Sequence, residues 1–463
     1  MSETVEDSYK IPSIPNIISY GSAGFWNTFA YTVFGTYVFF FYEAVVGLDT
    51  IYVFTAMIIF TLWDAVNDPL IGHLTDRITK ITRKLGKRFP WIVLGIIPAN
   101  LIFILLFTPP TVDATTNPLP VFAWITIITC LFDSFTTLCF VNVNALFPDK
   151  FRNDSARRKA RGWGTPLSML ALPISTIIPP LLIRFQDQAS YITMAAISVM
   201  IIATVSILFL PGMAENTQTI ERYYVTKEKR MGFFTALKSS LKQQSFLYYI
   251  ILLFGFQVVI NSLTGSIAYA VNFVLQGSEL DVILLFAAFL NGAIVSVPIW
   301  IIIAKRIKNN KKTAVIGGVV LTIGTLLTAF YVGVIDSMIY QAILGFTMGN
   351  FWALMTVYFS DVMDERMVLT RSDQRGAMVG IEAFFSRLSR GAQVAIFAIV
   401  HELTGFIAGA TTQLPAAQIG IRLHMSVIPA IILAICTLIF WKGYPLTPEK
   451  SFNIKKQLKE LGF

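Results

Sequence analysis

Charge is scarce in these 463 residues: Asp, Glu, Lys and Arg together make up only 14%, where a soluble domain carries about 25%. A chain so poor in charge cannot clothe a large water-facing surface, which excludes an ordinary soluble domain. Cysteine is scarce too. Cys130, Cys139 and Cys436 all lie in apolar segments without metal-ligand spacing. That pattern argues for buried free thiols and against a disulfide framework or a zinc site. His73, His401 and His424 are scattered along the chain, with no glycine-rich phosphate loop and no Ser/His arrangement beside them. Without an activated nucleophile or metal cluster the chain is not read as an enzyme, and no cofactor is expected. The first residues, MSETVEDSYKIPSIP, lack the basic start and short apolar stretch of a signal peptide, so no cleaved leader is expected.

What the chain has in abundance is apolar sequence, 55% of all residues. Runs of about 20 apolar residues, the length a helix needs to cross a bilayer, recur from end to end. Windows near 16–46, 50–76, 89–109, 119–147, 161–185, 189–211, 246–276, 280–304, 312–334, 337–361, 375–403 and 421–442 read as spans. The expected fold is an all-α polytopic membrane protein of about twelve transmembrane helices. Lys and Arg gather in alternate loops, at 77–88, 150–161, 222–242, 305–312, 366–375 and from Lys442 onward, while Glu43, Asp49, Asp113, Glu279, Asp281, Asp336 and Glu402 occupy the intervening ones. This alternation places both termini in the cytoplasm. The net charge of +9 is thereby a topology signal, and no nucleic-acid partner is expected. A plasma membrane or a bacterial or archaeal inner membrane is the expected location, and a monomer the expected state.

Residues 212–245 form the longest polar interval between spans and divide the chain into an N-terminal half, 16–211, and a C-terminal half, 246–442. Segments 1–15 and 443–463 flank them as cytoplasmic ends. The halves echo each other. FPDKFRNDSARRKARGWG follows the fourth span and YFSDVMDERMVLTRSDQRG the tenth, each acidic, then basic, then reaching a glycine that opens the next helix. Parallel six-helix repeats with substrate bound near the membrane midplane are the plan of major-facilitator transporters.

The second span, IIFTLWDAVNDPLIGHLTDR, carries carboxylates where lipid-compatible residues are expected. An acid at a span's centre costs roughly 2.5–3.5 kcal/mol to insert, so it is a functional hypothesis by default. Asp64 and Asp68 are i,i+4 and Asn67 is i+3 from Asp64, so all three project from one helical face. Like charges this close repel, and a bound monovalent cation or a proton relieves them. Carboxylate and amide oxygens suit a hard cation. The alternative is that one acid pairs with a Lys or Arg on another helix. Pro69 frees the carbonyl of Ala65 from its helical bond.

In the fourth span Asp133, Thr137, Asn144 and, less squarely, Phe140 fall along one stripe. Thr137 offers a hydroxyl to a cation or bonds its own preceding turn. Asn142 and Asn144 suit a polar substrate, and Asp133 suits either a substrate contact or pairing to an Arg. In the eleventh span Glu382, Ser386 and Arg390 share a face, with Arg387 close by. These guanidinium groups suit carboxylate or phosphate recognition, or they pair with Glu382. Trp352 can stack on a sugar or serve packing. Trp26, Asn27, Gln257, Asn261 and Asn272 complete the candidate cavity residues.

WDAVNDPLIGHLTDR followed by RKLGKRFPWIVLG resembles the signature of the glycoside–pentoside–hexuronide:cation symporters, which include the melibiose carrier. NALFPDKFRND, FWALMTVYFSDVMDE and EAFFSRLSRGAQ extend the resemblance over most of the chain. It implies a major-facilitator fold and a cation site at Asp64, Asn67, Asp68 and Thr137, coupling to Na+ or H+, with Li+ as a further option. It also implies departures in the sugar site. The first-span acid falls on Thr28, with Asn27 in place of its neighbouring lysine. The fourth-span acid falls on Phe140 and its adjacent Trp on Asn144, while the eleventh-span lysine falls on Arg390 and the tenth-span Trp on Trp352. The galactoside-reading carboxylates are thus replaced while the cation ligands stay.

The expected function is a cation-coupled symporter working by alternating access on a small molecule that is a sugar, glycoside or hexuronide. A non-sugar organic anion, a lysolipid-like amphiphile, or a non-transporting sensor on the same fold are the alternatives. The loop GHLTDRITKITRKLGKR reads as a gate, with Asp76, Arg77, Arg83 and Lys87 forming ion pairs that break on opening; setting the topology is its other reading.

Overall fold

The computed structural model describes residues 12–75, 80–216, 220, 233–372 and 374–461; the side chains of Pro69, His73, Lys80, Ile81, Arg83, Asp154, Lys459 and residues 233–236 also lie outside that description. The chain folds as two compact units, Met1–Lys229 and Arg230–Phe463. Among the described residues the secondary structure is helical, and nine helices are long and apolar enough to span a membrane.

In the first unit α1 (Ile14–Gly21) leads into α2 (Ala23–Phe40), which ends in a π-helical turn, Phe41–Val45. There follow α3 (Thr50–Thr75), the short α4 (Lys80–Leu85), α5 (Phe89–Leu105), α6 (Pro118–Lys150), α7 (Asp154–Leu182) and α8 (Gln188–Met213). Helices pack tightly here through small residues, as lipid-embedded helices do. A Cβ on Gly95 of α5 would lie 2.6 Å from the Cys139 amide nitrogen of α6. Side-chain bonds add specificity: Trp26 Nε1 donates to Asn100 Oδ1 at 2.8 Å, and Asn100 Nδ2 to Ser206 Oγ at 3.0 Å. Trp26, read above as a cavity residue, is instead fully buried in this chain across α2, α5 and α8.

The second unit contains α9 (Phe233–Leu241), which lies inside the interval read as loop. It continues with α10 (Gln244–Tyr269) and a π turn (Ala270–Leu275), α11 (Glu279–Ile307), α12 (Asn310–Leu327), α13 (Val334–Thr370) and α14 (Arg375–Thr404). The chain ends with α15 (Pro415–Arg422), a π turn (Leu423–Val427), α16 (Ile428–Gly443) and α17 (Pro448–Glu460). Gly292 and Gly345 make the seam of α11 and α13, where any Cβ would collide with the facing backbone carbonyl. The tail helix α17 is pinned to the end of α13 by Lys450–Glu365 at 2.8 Å and Lys455–Asp361 at 3.1 Å.

Several helices outrun their hydropathy windows. α7 begins at Asp154 rather than 161, α13 ends at Thr370 rather than 361, and α15 starts at Pro415 rather than 421. Hydropathy marks the lipid, whereas backbone i→i−4 bonds carry a helix on into polar surroundings. Gly162 consequently lies within α7 and does not open it. Glu43, read as a loop acid, is buried in the first π turn, where its carboxylate accepts the Thr50 hydroxyl at 2.5 Å.

Candidate functional site

The exposed and buried faces of α3 are sharply divided. Leu62, Val66 and Leu70 are 61%, 60% and 58% exposed, whereas Asp64 and Asn67 are 2% and 1% exposed. An i,i+4 apolar stripe turned outward forces the i,i+3 polar pair inward. Asp68 is half-buried beside them. On α6, Asp133 is fully buried and Thr137, one turn further, is 4% exposed.

Two side-chain bonds lock α3 against α6. Trp63 Nε1 donates to Ser134 Oγ at 2.9 Å, and Asn67 Nδ2 donates to Asp133 Oδ2 at 2.9 Å. The amide oxygen Oδ1 of Asn67 is buried and has no hydrogen-bond partner among the described residues. Leaving such an oxygen unpaired costs about 1–3 kcal/mol, a cost that an ion coordinated there recovers. Carboxylate, amide and hydroxyl oxygens, the groups that Asp64, Asp68, Asn67 and Thr137 carry, are of the kind that suits a hard monovalent cation. Among the described residues no three His, Cys, Asp or Glu side chains converge as a metal centre. Asp133, read above as a substrate contact, joins this region through its bond from Asn67.

Those residues are dispersed over both units. Asn27 and Thr28 are half-buried on α2. Phe140 packs on the Trp26 ring at a centroid distance of 5.3 Å. Asn144 is exposed, and Asn142, suggested with it, is committed elsewhere. Its Oδ1 accepts from the buried Arg88 guanidinium at 3.1 Å while its Nδ2 donates to the Leu138 carbonyl. In the second unit, Trp352 on α13 meets Phe289 edge-on at 5.9 Å. Ser386, Arg387 and Arg390 are half-buried on α14. Glu382 accepts from Tyr249 Oη at 2.5 Å, and Asn261 Nδ2 donates to Ser389 Oγ at 2.9 Å. The Glu382 carboxylate is therefore held from α10 by a tyrosine, a partner that spacing within one helix does not reveal.

Of the residues read as a gate, Asp76, Arg77 and the Arg83 side chain fall outside the described residues. Lys87 contributes its backbone, and its partner is a residue that the sequence did not single out. The Glu215 carboxylate, just past α8, accepts the amides of Lys87 at 3.0 Å, Arg88 at 2.6 Å and Phe89 at 3.0 Å. These are unsatisfied donors at the start of α5, where a negative charge is favoured. Gly86 supplies the approach with φ +102°, and a Cβ there would sit 2.7 Å from the Glu215 carboxyl carbon. The only signals in the sequence were a Gly ahead of the span with Pro90 in its first turn, and an acid three residues after Gly212.

The histidines are not all scattered. His401 and His424 are fully buried and face each other with Nε2 atoms 3.1 Å apart, and Ser266 Oγ contacts His424 Nδ1 at 2.8 Å. Phe397 and Phe406 pack on the two rings.

A family model described as MFS/sugar transport protein matches residues 19–448. The chain is 22% identical over 437 residues to the sodium-dependent lysophosphatidylcholine symporter 1-A of Danio rerio, covering 86% of this chain and 79% of that one. It is 22% identical over 441 residues to the glucuronide carrier protein homolog of Escherichia coli (strain K12), covering 94% and 93%. The crystal structure of a D-xylose-proton symporter superposes with a TM-score of 0.60 at 14% identity, over 93% of this chain and 97% of that one.

Proposed function

Because the chain belongs to the MFS/sugar transport protein family, in which proteins are transporters and not enzymes, we propose that it is a symporter coupling a monovalent cation to uptake of a substrate with one anionic group. The fold is that of the major facilitators, an all-α integral membrane protein. The observation that carries the coupling is the buried Asp64–Asn67 face with an unpartnered amide oxygen. Asp68 and Thr137 complete the ligand set, with Na+ as the first ion to test and H+ or Li+ after it.

In this reading the cation relieves Asp64–Asp68 repulsion and draws α3 and α6 together. A cation that raises substrate affinity must have its own affinity raised equally by substrate, and the loaded carrier then alternates its access. Arg387 and Arg390 suit a carboxylate or phosphate, and loss of acids at Thr28 and Phe140 removes the groups that would grip neutral sugar hydroxyls. A hexuronide fits this pattern. The half-buried Phe140, together with the relatives named for lysophosphatidylcholine, supports a lysolipid-like amphiphile, its phosphate the anionic group, as the second reading.

Purified protein in proteoliposomes, given labelled glucuronide or lysophosphatidylcholine under an imposed Na+ or H+ gradient, tests both parts. Accumulation should follow the gradient and disappear in Asp68→Asn. Accumulation independent of the gradient, or indifferent to that substitution, would refute coupling at this site. Uptake that survives Arg390→Gln unchanged would remove the anionic-group argument.

A further inference from the structure

A primary amide in a cation site has two ends of equal size and opposite use. Its oxygen binds a cation, while its nitrogen turns two N–H groups toward it. Nothing in Asn67 itself chooses between them. The neighbour does. An ionised carboxylate only accepts hydrogen bonds, so the end of Asn67 that meets Asp133 Oδ2 at 2.9 Å is the nitrogen. The oxygen is thereby turned away from Asp133, and it is the atom left buried without a hydrogen-bond partner. Asp133 itself is fully buried on α6, one turn from Thr137. The adjoining Trp63–Ser134 bond fixes the two helices at this level. The acids Asp64, Asp68 and Asp133 do not converge as one three-carboxylate cluster, and the contact that Asp133 makes here is with the amide nitrogen of Asn67.

We infer that Asp133 is a positioning residue that sets the orientation of the Asn67 amide and thereby makes the site selective for a metal cation over a proton. This rests on the proposed cation site. A proton needs only a carboxylate of Asp64 or Asp68, whereas Na+ or Li+ needs several oxygens, the amide oxygen among them. Releasing the amide removes a metal ligand and leaves the proton acceptors in place. Groups that orient metal ligands typically cost about 10- to 100-fold in metal affinity when removed.

The test is Na+ and Li+ binding to the purified full chain, followed by cation-dependent thermal shift and tryptophan fluorescence without substrate. Asp133→Leu should weaken Na+ binding by at least about tenfold. Asp133→Asn, which keeps an oxygen acceptor for Asn67, should stay closer to the wild-type affinity. In an Asn67→Ala background Asp133→Leu should cause no further loss, since residues acting through one contact are non-additive. In proteoliposomes the Asp133→Leu protein should lose Na+ stimulation while H+-driven uptake persists. Wild-type Na+ affinity in Asp133→Leu would overturn the inference, and so would a full additional loss in the Asn67→Ala background. A Asp133→Leu protein too unstable to assay leaves the Asp133→Asn comparison and its double variant with Asn67→Ala, where an equal Na+ loss in both Asn67 contexts overturns it. No Na+ or Li+ response in the wild-type protein would overturn the cation site itself and this inference with it.

Discussion

The α3 amide of the first unit and three polar pairs of the second are satisfied differently. In the second unit Tyr249 is matched with Glu382, Asn261 with Ser389, and His401 with His424. In the first unit the Asn67 amide of α3 is matched at one end only, its nitrogen satisfied and its oxygen left over. Matched pairs stabilise a helix bundle and need nothing from outside. A leftover buried acceptor beside two carboxylates costs stability until something positive occupies it. Under the proposed cation site, ion chemistry belongs to the first unit and the second unit's pairs have a structural task.

The largest effect should come from Asp64→Asn, which removes a buried carboxylate from the same face as the Asn67 amide. Na+-driven accumulation should fall to the level of empty vesicles, while Glu382→Gln, which keeps an acceptor for Tyr249, should change it by no more than about threefold, the size of one modest neutral hydrogen bond. Equal losses in the two variants would erase the contrast.

Next in size is the histidine pair. Replacing His424 by Phe strands His401 Nε2 and Ser266 Oγ in the interior, a cost of about 1–3 kcal/mol per unsatisfied group. A lower melting temperature with unchanged Na+ affinity is the expected result. A shift in Na+ affinity would give the second unit a part in ion binding.

Glu215→Ala strips three backbone amides of their acceptor and should cost about 1–3 kcal/mol, read as earlier thermal unfolding. Gly86→Ala acts on the same joint from the other side and should be destabilising for both its positive φ and its steric conflict. The smallest effect belongs to Lys455→Ala. Its ion pair to Asp361 is formed by a largely exposed amine, and such pairs contribute about 1 kcal/mol or less. A large change in uptake from that substitution would show the tail helix acting in the transport cycle.

What the sequence made legible followed helical periodicity. The i,i+3,i+4 spacing of Asp64, Asn67 and Asp68 put them on one face, and the structure buries the first two deeply. The apolar windows found the spans because lipid selects composition, but they missed helix ends that continue in polar surroundings. Contacts between helices were out of reach. Asp133 was conspicuous as a buried acid, yet its bond to Asn67 joins residues 66 apart. His401 and His424 looked unrelated at a separation of 23 residues. Glu382 had plausible partners on its own helix and took one 133 residues away. Periodicity reports which way a side chain faces, and only packing of one helix on another decides what it meets.

The Glu215 joint has one more implication. Its carboxylate reads three main-chain amides, and every residue type except proline presents that group identically. The joint therefore places no demand on the side chains at positions 87, 88 and 89; Arg88 is held separately, by burial and its bond to Asn142. Position 86 is confined to glycine and position 215 to an acid, so drift in this loop should be lopsided, with turnover concentrated at 87 and 89.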